Sequence, residues 1–208
     1  MHLLNGYRFW EWFSENHKRY LQLDQLEEDE ISRLANELNE QLDKYCTGLG
    51  VEIRLNKPGA KDFIISANGD MRYFEQAEDL AFMAPKPKEW NIIALQPAVW
   101  EYPIAFEYKG RAVTSEQLWF STFESVEEPH KLGIVVYFEH YDADEEDEFY
   151  LPAANKMLDF ILGEKAGRLD VPYLQVNVLP EQPDPHSILP LETLPEYIEM
   201  WKEQVVLN

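Results

Sequence analysis

Cysteine is nearly absent. Cys46 is the single thiol among 208 residues, so the chain can close no disulfide within itself and carries neither a CxxC motif nor a cysteine-based zinc site; its place near the end of an apolar-periodic segment reads as a buried small hydrophobe. Basic residues are scarce too: 18 lysines and arginines stand against 39 aspartates and glutamates, a formal charge of -21. A surface that neutralises phosphates needs clustered cations, and the densest groups here are Lys86 with Lys88 and Lys18 with Arg19. Nucleic acid is therefore excluded as an expected partner, and an anionic membrane face would repel the chain.

Long apolar runs are also missing. None approaches the ~18 residues of a membrane span. Met1-His-Leu-Leu-Asn-Gly-Tyr-Arg lacks the basic start and apolar core of a secretory leader. Together with the lone thiol, these absences make the cytoplasm the expected compartment. Only 9 glycines are present, and neither GxGxxG nor GxxxxGK[ST] occurs; Gly163-Glu-Lys-Ala-Gly167 has the wrong spacing and follows a helix instead of a strand. No cofactor is expected. Ser66, Ser115, Ser121 and Ser125 have no glycine elbow around them, which removes the GxSxG hydrolases.

What is present suffices for a core, since 45% of residues are hydrophobic and 13% aromatic, well above the disordered range. No stretch reads as a dispensable linker, so residues 1–208 are expected to form a single domain. Phe9, Trp12, Phe13, Tyr20 and Leu21 predict an amphipathic helix over 7–21. Asp24 and Glu27 have capping-box spacing ahead of a second helix with Ile31, Leu34, Ala35, Leu38, Leu42 and Tyr45 on one face. Residues 51–55 and 62–67 predict a hairpin around Asn56-Lys-Pro-Gly. A helix carrying Tyr73, Phe74, Ala77, Leu80, Ala81 and Ala84 and a strand at 91–96 complete a strand-helix-strand unit, which if parallel crosses over right-handedly.

Residues 101–140 read as antiparallel strands with a tight turn at Lys109-Gly110 and a one-turn helix at Thr114-Ser-Glu-Gln117. The acidic run from Asp142 to Glu148 leads into a helix starting between Asp147 and Leu151, because Pro152 is tolerated only in a first turn. A strand at 173–179 closes a second strand-helix-strand unit. After a proline-rich crossing, Thr193-Leu-Pro-Glu caps a last helix bearing Leu194, Tyr197, Ile198, Trp201 and Val205. The expected fold is α+β: a mixed, mostly antiparallel sheet with ferredoxin-like strand-helix-strand units, helices packed on one face, an N-terminal helix pair and a C-terminal helix.

Phe9-Trp-Glu-Trp-Phe, Gly48-Leu-Gly-Val-Glu-Ile, Phe63-Ile-Ile-Ser-Ala-Asn-Gly-Asp and Leu162-Gly-Glu-Lys resemble blocks of an uncharacterised bacterial family of cytoplasmic proteins. The resemblance spans most of the chain and implies no activity and no catalytic residue.

The sharpest chemical motif is His140-Tyr-Asp142-Ala-Asp144. In an extended chain these three side chains project to one side and would offer an imidazole and two carboxylates to a metal ion. Counted from Asp142, a calcium loop would need Gly at the sixth position and Glu at the twelfth, where Asp147 and Ala153 stand. Acids also gather naturally before a helix N-terminus, where the macrodipole favours them, so no metal ligand is assigned. His2, His17, His130 and His186 belong to no ligand pattern; His17, among the aromatics of the first helix, reads as half-buried and satisfied by a neighbour. Paired carboxylates with six tryptophans could serve a glycosidase, but Trp10, Trp12, Trp119 and Trp201 fall in apolar-periodic segments and read as core. Trp90 and Trp100, near prolines, are the better candidates for a ligand or partner surface.

Charge is asymmetric. Residues 1–100 hold 17 acids and 11 bases (net -6), and residues 101–208 hold 22 acids and 7 bases (net -15). Such a field speeds encounter with a basic partner and excludes acidic ones, although it also serves solubility. The expected class is an intracellular acidic protein-binding module, of interaction, inhibitor or immunity type, and not an enzyme. Its expected contacts are Asp142, Asp144, Glu145, Glu146, Asp147, Glu148, Trp90 and Trp100. The alternatives are a metal-binding protein or metal-dependent hydrolase using His140, Asp142 and Asp144, and a small-ligand binder using the aromatic excess.

Overall fold

A computed structural model describes residues 2–55, 59–86, 88–124, 128 and 131–206. His130, Ser125 and the Asn56-Lys57-Pro58 turn lie outside the described residues, as do the side chains of His2 and Val205. The chain counted above as one domain is built of two compact units, residues 1–96 and 97–208, each with its own core.

The first unit opens with α1 (His2–Tyr20) and α2 (Glu28–Asp43). Asp24 does not cap α2. It lies in a separate 3-10 turn, Leu23–Gln25, and the helix begins one residue after Glu27 without a side-chain cap; three acids in its first turn favour the positive end of the helix dipole instead. The three-four repeat holds: Leu34, Leu38 and Leu42 are buried, and the Tyr20 hydroxyl donates to the Leu34 carbonyl (3.2 Å), tying α1 to α2. β1 (Gly50–Arg54) pairs antiparallel with β2 (Lys61–Ser66), the expected hairpin. α3 (Phe74–Phe82) then returns the chain to β3 (Trp90–Ala94), which runs parallel to β2.

Aromatic rings fill this core. Phe13 meets Phe63 at 4.6 Å between centroids and Trp90 at 5.7 Å, and Phe9 packs edge-on to Trp10 at 5.0 Å. Buried indole N–H groups need acceptors, and both find them: Trp10 donates to the Leu80 carbonyl (2.7 Å) and Trp90 to His17 Nδ1 (3.1 Å). His17 is thus the half-buried, satisfied histidine expected from its helix position. Cys46 is buried in the same core.

In the second unit, β4 (Ala105–Tyr108) and β5 (Arg111–Thr114) form a hairpin. Lys109 and Gly110 both take positive φ (48° and 75°), the twist-matching conformation of a two-residue hairpin turn. A four-stranded sheet follows, made of β6 (Leu118–Glu124), β7 (Leu132–Phe138), β8 (Tyr173–Val178) and β9 (Leu189–Pro190) in the order β8-β7-β6-β9. β7 and β8 are parallel, joined through α4 (Leu151–Leu162) and α5 (Glu164–Asp170), and the other pairings of this sheet are antiparallel. α6 (Leu194–Val206) ends the described chain. Leu132, Ile134, Val136 and Phe138 on one face of β7 share a core with Met157, Leu158 and Ile161 of α4 and with Leu194 and Ile198 of α6.

The α+β class is as expected, with antiparallel pairings in the majority and no closed barrel. The two strand-helix-strand units lie in different sheets, however, because each parallel pair buries its own crossover helix within its own unit. Two caps also differ. The turn Ser115–Gln117 is 3-10 and Thr114 makes no side-chain cap, while Thr193 Oγ1 donates back to the Pro190 carbonyl (2.8 Å) instead of capping α6.

Candidate partner-binding surface

Half of the acidic run is engaged in local structure. β7 stops at Phe138, and the chain tightens into a 3-10 turn at Ala143–Glu145 and a π-helical turn at Glu146–Tyr150 before α4. The extended path that would have aligned His140, Asp142 and Asp144 is therefore not there, and among the described residues no group of three or more His, Cys, Asp or Glu side chains is placed to hold a metal ion. Asp142 caps the turn, its Oδ1 accepting from the Asp144 N–H (3.0 Å). Glu145 pairs with Arg111 (2.8 Å). Glu146 accepts from the Tyr141 hydroxyl, which pushes the pKa of Tyr141 up to about 12, with burial adding to it. Asp144, Asp147 and Glu148 face solvent and are the carboxylates of the run most open to a partner.

The two tryptophans part company. Trp90 is 4% exposed and belongs to the first core; its place at the start of β3, parallel to β2, carries it inward, so the surface role expected for it does not hold. Trp100 is 74% exposed. Its backbone is nonetheless anchored on both sides: the Val99 N–H donates to the Phe160 carbonyl at the end of α4 (2.7 Å), and Ile104 exchanges bonds with Ser115. Ser115 is buried, accepts from the Ile104 N–H (2.9 Å), and donates through Oγ to Glu192 Oε1 (2.6 Å). That arrangement fixes the segment 99–104 against the turn Leu191–Thr193 that precedes α6.

Carboxylates lie near Tyr102. Tyr102 is 37% exposed; partial burial raises its pKa above the usual phenol value, and nearby Glu196 and then Glu192 raise it further. Glu101 and Glu196 face solvent. The result is a backbone-anchored segment that displays two aromatic side chains, Tyr102 with acids nearby, a surface suited to stack on and pair with guanidinium or ammonium groups. Tyr102, Glu192 and Glu196 were not singled out in the sequence. Tyr102 adjoins the Trp100 that the sequence did single out, whereas Glu192 joins Ser115 across 77 positions, a proximity that no local pattern encodes.

No helix among the described residues is long and apolar enough to cross a membrane. No protein-family model, curated protein or solved structure matches the chain. The resemblance to an uncharacterised bacterial family thus stands on its four sequence blocks alone.

Proposed function

We propose that the protein is a cytoplasmic, acidic protein-binding module whose second unit takes a basic protein partner on the surface formed by Trp100, Glu101, Tyr102 and Glu196. The single observation that carries the reading is Trp100: a side chain 74% exposed on a backbone hydrogen-bonded on both sides. Large aromatics held in place are the residues that dominate binding energy at protein interfaces, and an anchored backbone lowers the ordering cost of association. The charge of residues 101–208 supplies long-range attraction, with Asp144, Asp147 and Glu148 contributing to the field. Glu145 contributes less, because the Arg111 cation is paired with it, while Glu146 keeps its charge and is only less free for direct contact, since the Tyr141 hydroxyl engages it.

The test is capture of partners from a lysate of the source cells by the wild type and by Trp100→Ala, followed by calorimetry with the purified partner. A basic partner is expected, bound about tenfold or more weakly by the variant and losing affinity steeply between about 50 and 200 mM salt. An acidic partner, or binding indifferent to both salt and Trp100, refutes the proposal.

A further inference from the structure

β6 outruns its neighbour. The ladder between β6 and β9 joins Trp119 to Pro190 and Phe120 to Leu189, whereas β6 continues to Glu124 and stays paired with β7 along its whole length. The chain ahead of β9 does not prolong the ladder because it satisfies its own backbone. The Ser187 and Ile188 N–H groups donate to the Asp184 carbonyl (3.1 and 2.9 Å), and the His186 N–H donates to Asp184 Oδ1 (3.0 Å). This side-chain-stabilised turn curls residues 184–188 away from the strand path.

A cleft of about 410 Å³ opens there, with Ser121, Thr122, Tyr137, Ser187, Ile188 and Tyr197 in its walls. Two hydroxyl pairs flank it, Ser121 with Tyr137 (3.0 Å) and Thr122 with Tyr197 (2.9 Å). Each pair uses one proton between its members and so keeps one proton and several lone pairs for a ligand. Among the described residues no Lys, Arg, Asp or Glu side chain lines the cleft, and His186 is its one ionisable group besides the tyrosines.

An open strand edge presents alternating N–H and C=O groups, which another extended chain satisfies better than any small solute. Three residues of edge, Ser121 to Phe123, offer about 10 Å of strand. An anion would find no Lys or Arg among the described lining residues and would meet the field of a segment with net charge -15. We infer that an extended, basic segment of a partner protein docks in this cleft as an added strand along Ser121–Phe123. The inference rests on the protein-binding reading above and adds to it a second contact, made through backbone instead of side chains.

The probes are three synthetic octapeptides: alternating Lys and Val, alternating Glu and Val, and the Lys-Val peptide N-methylated at alternate residues, which removes donors without altering charge. Each is titrated into the whole ¹⁵N-labelled protein at low salt. The Lys-Val peptide is expected to shift the amides of Ser121, Thr122 and Phe123, N-methylation to weaken binding about tenfold, and the Glu-Val peptide to leave the spectrum unchanged. Ser121→Lys, which sets a like charge beside the incoming strand, is expected to weaken the Lys-Val peptide by a similar factor. Equal binding of the N-methylated peptide overturns the inference. So does a response confined to Trp100, Glu101 and Tyr102, an outcome that leaves the protein-binding reading in place, and so does no response at all, since the reading built on Trp100 has its own lysate test.

Discussion

The Arg111 guanidinium lies 3.4 Å from the centroid of the Phe149 ring. The same group pairs with Glu145 at 2.8 Å, so one cation on β5 grips both an aromatic ring and a carboxylate of the segment that the sequence presents as a plain acidic run. That grip explains how consecutive like charges are held in compact 3-10 and π-helical turns: a cation lies against them and the Phe149 and Tyr150 rings beneath are buried.

Arg111→Ala is expected to lower stability by about 1 kcal/mol, the sum of a partly exposed cation–π contact and a partly exposed ion pair. Arg111→Lys should restore less than half of it, because an ammonium lacks the flat face that stacks on a ring. Urea denaturation of the three proteins measures both; full recovery by lysine would show that charge alone matters there.

Trp100→Ala is expected to leave the unfolding free energy within about 0.5 kcal/mol of the wild type, as for other surface substitutions, while reducing partner affinity. The pair of measurements separates a binding residue from a structural one. A stability loss above about 2 kcal/mol would place the indole in a core.

Leu38→Ala on α2 removes a side chain that is 5% exposed and is expected to cost about 2–5 kcal/mol. A change below about 0.5 kcal/mol in chemical denaturation would contradict the packing of α2 in the first core.

Asp159 gives the protein a pH dependence of definite sign. It lies on α4 and accepts from Arg168 of α5 (3.0 Å), and Arg168 also donates to Asn155. Burial outweighs that pairing and lifts the carboxyl pKa from 3.8 to about 7, with the Glu164 carboxylate contributing in the same direction. Between about pH 4 and 7 the folded protein therefore holds a proton that the unfolded chain has released, and the stability tied to Asp159 is full below this window and lost as pH rises through it. The loss amounts to about 4 kcal/mol. Asp159→Asn is expected to flatten this part of the profile, measured as the difference between variant and wild type in urea unfolding at pH 4.5, 6 and 8. An unchanged slope would assign the dependence to other acids.

Where one face of an element is buried, the order of residues along it carries the information. The repeat of Leu34, Leu38 and Leu42 announced α2, the continuous apolar run Leu132-Gly-Ile-Val-Val-Tyr-Phe announced β7, and Pro152 bounded the start of α4, because these signals depend on spacing within a few residues. The charge asymmetry could also be read directly, and it changes at the boundary between the two units: no charged residue lies between Gln96 and Trp100, so residues 1–96 keep the net -6 and residues 97–208 the net -15.

What covers each face was settled by tertiary structure. Trp90 and Trp100 look alike in the sequence, each beside a strand and near prolines, yet one indole is buried against Phe13 and His17 and the other stands in solvent. The difference arises from distant partners: β2, 29 positions before β3 in register, draws Trp90 inward, whereas Val99 and Ile104 are tied to Phe160 and Ser115 while Trp100 between them is left uncovered. The acidic run shows the same division. Its composition was evident from the start, but the assignment of Asp142 to a cap, Glu145 to Arg111 and Glu146 to Tyr141 depended on how the turns and β5 came together, because hydrogen bonds and ion pairs are formed by proximity in space and a one-dimensional pattern records only proximity along the chain.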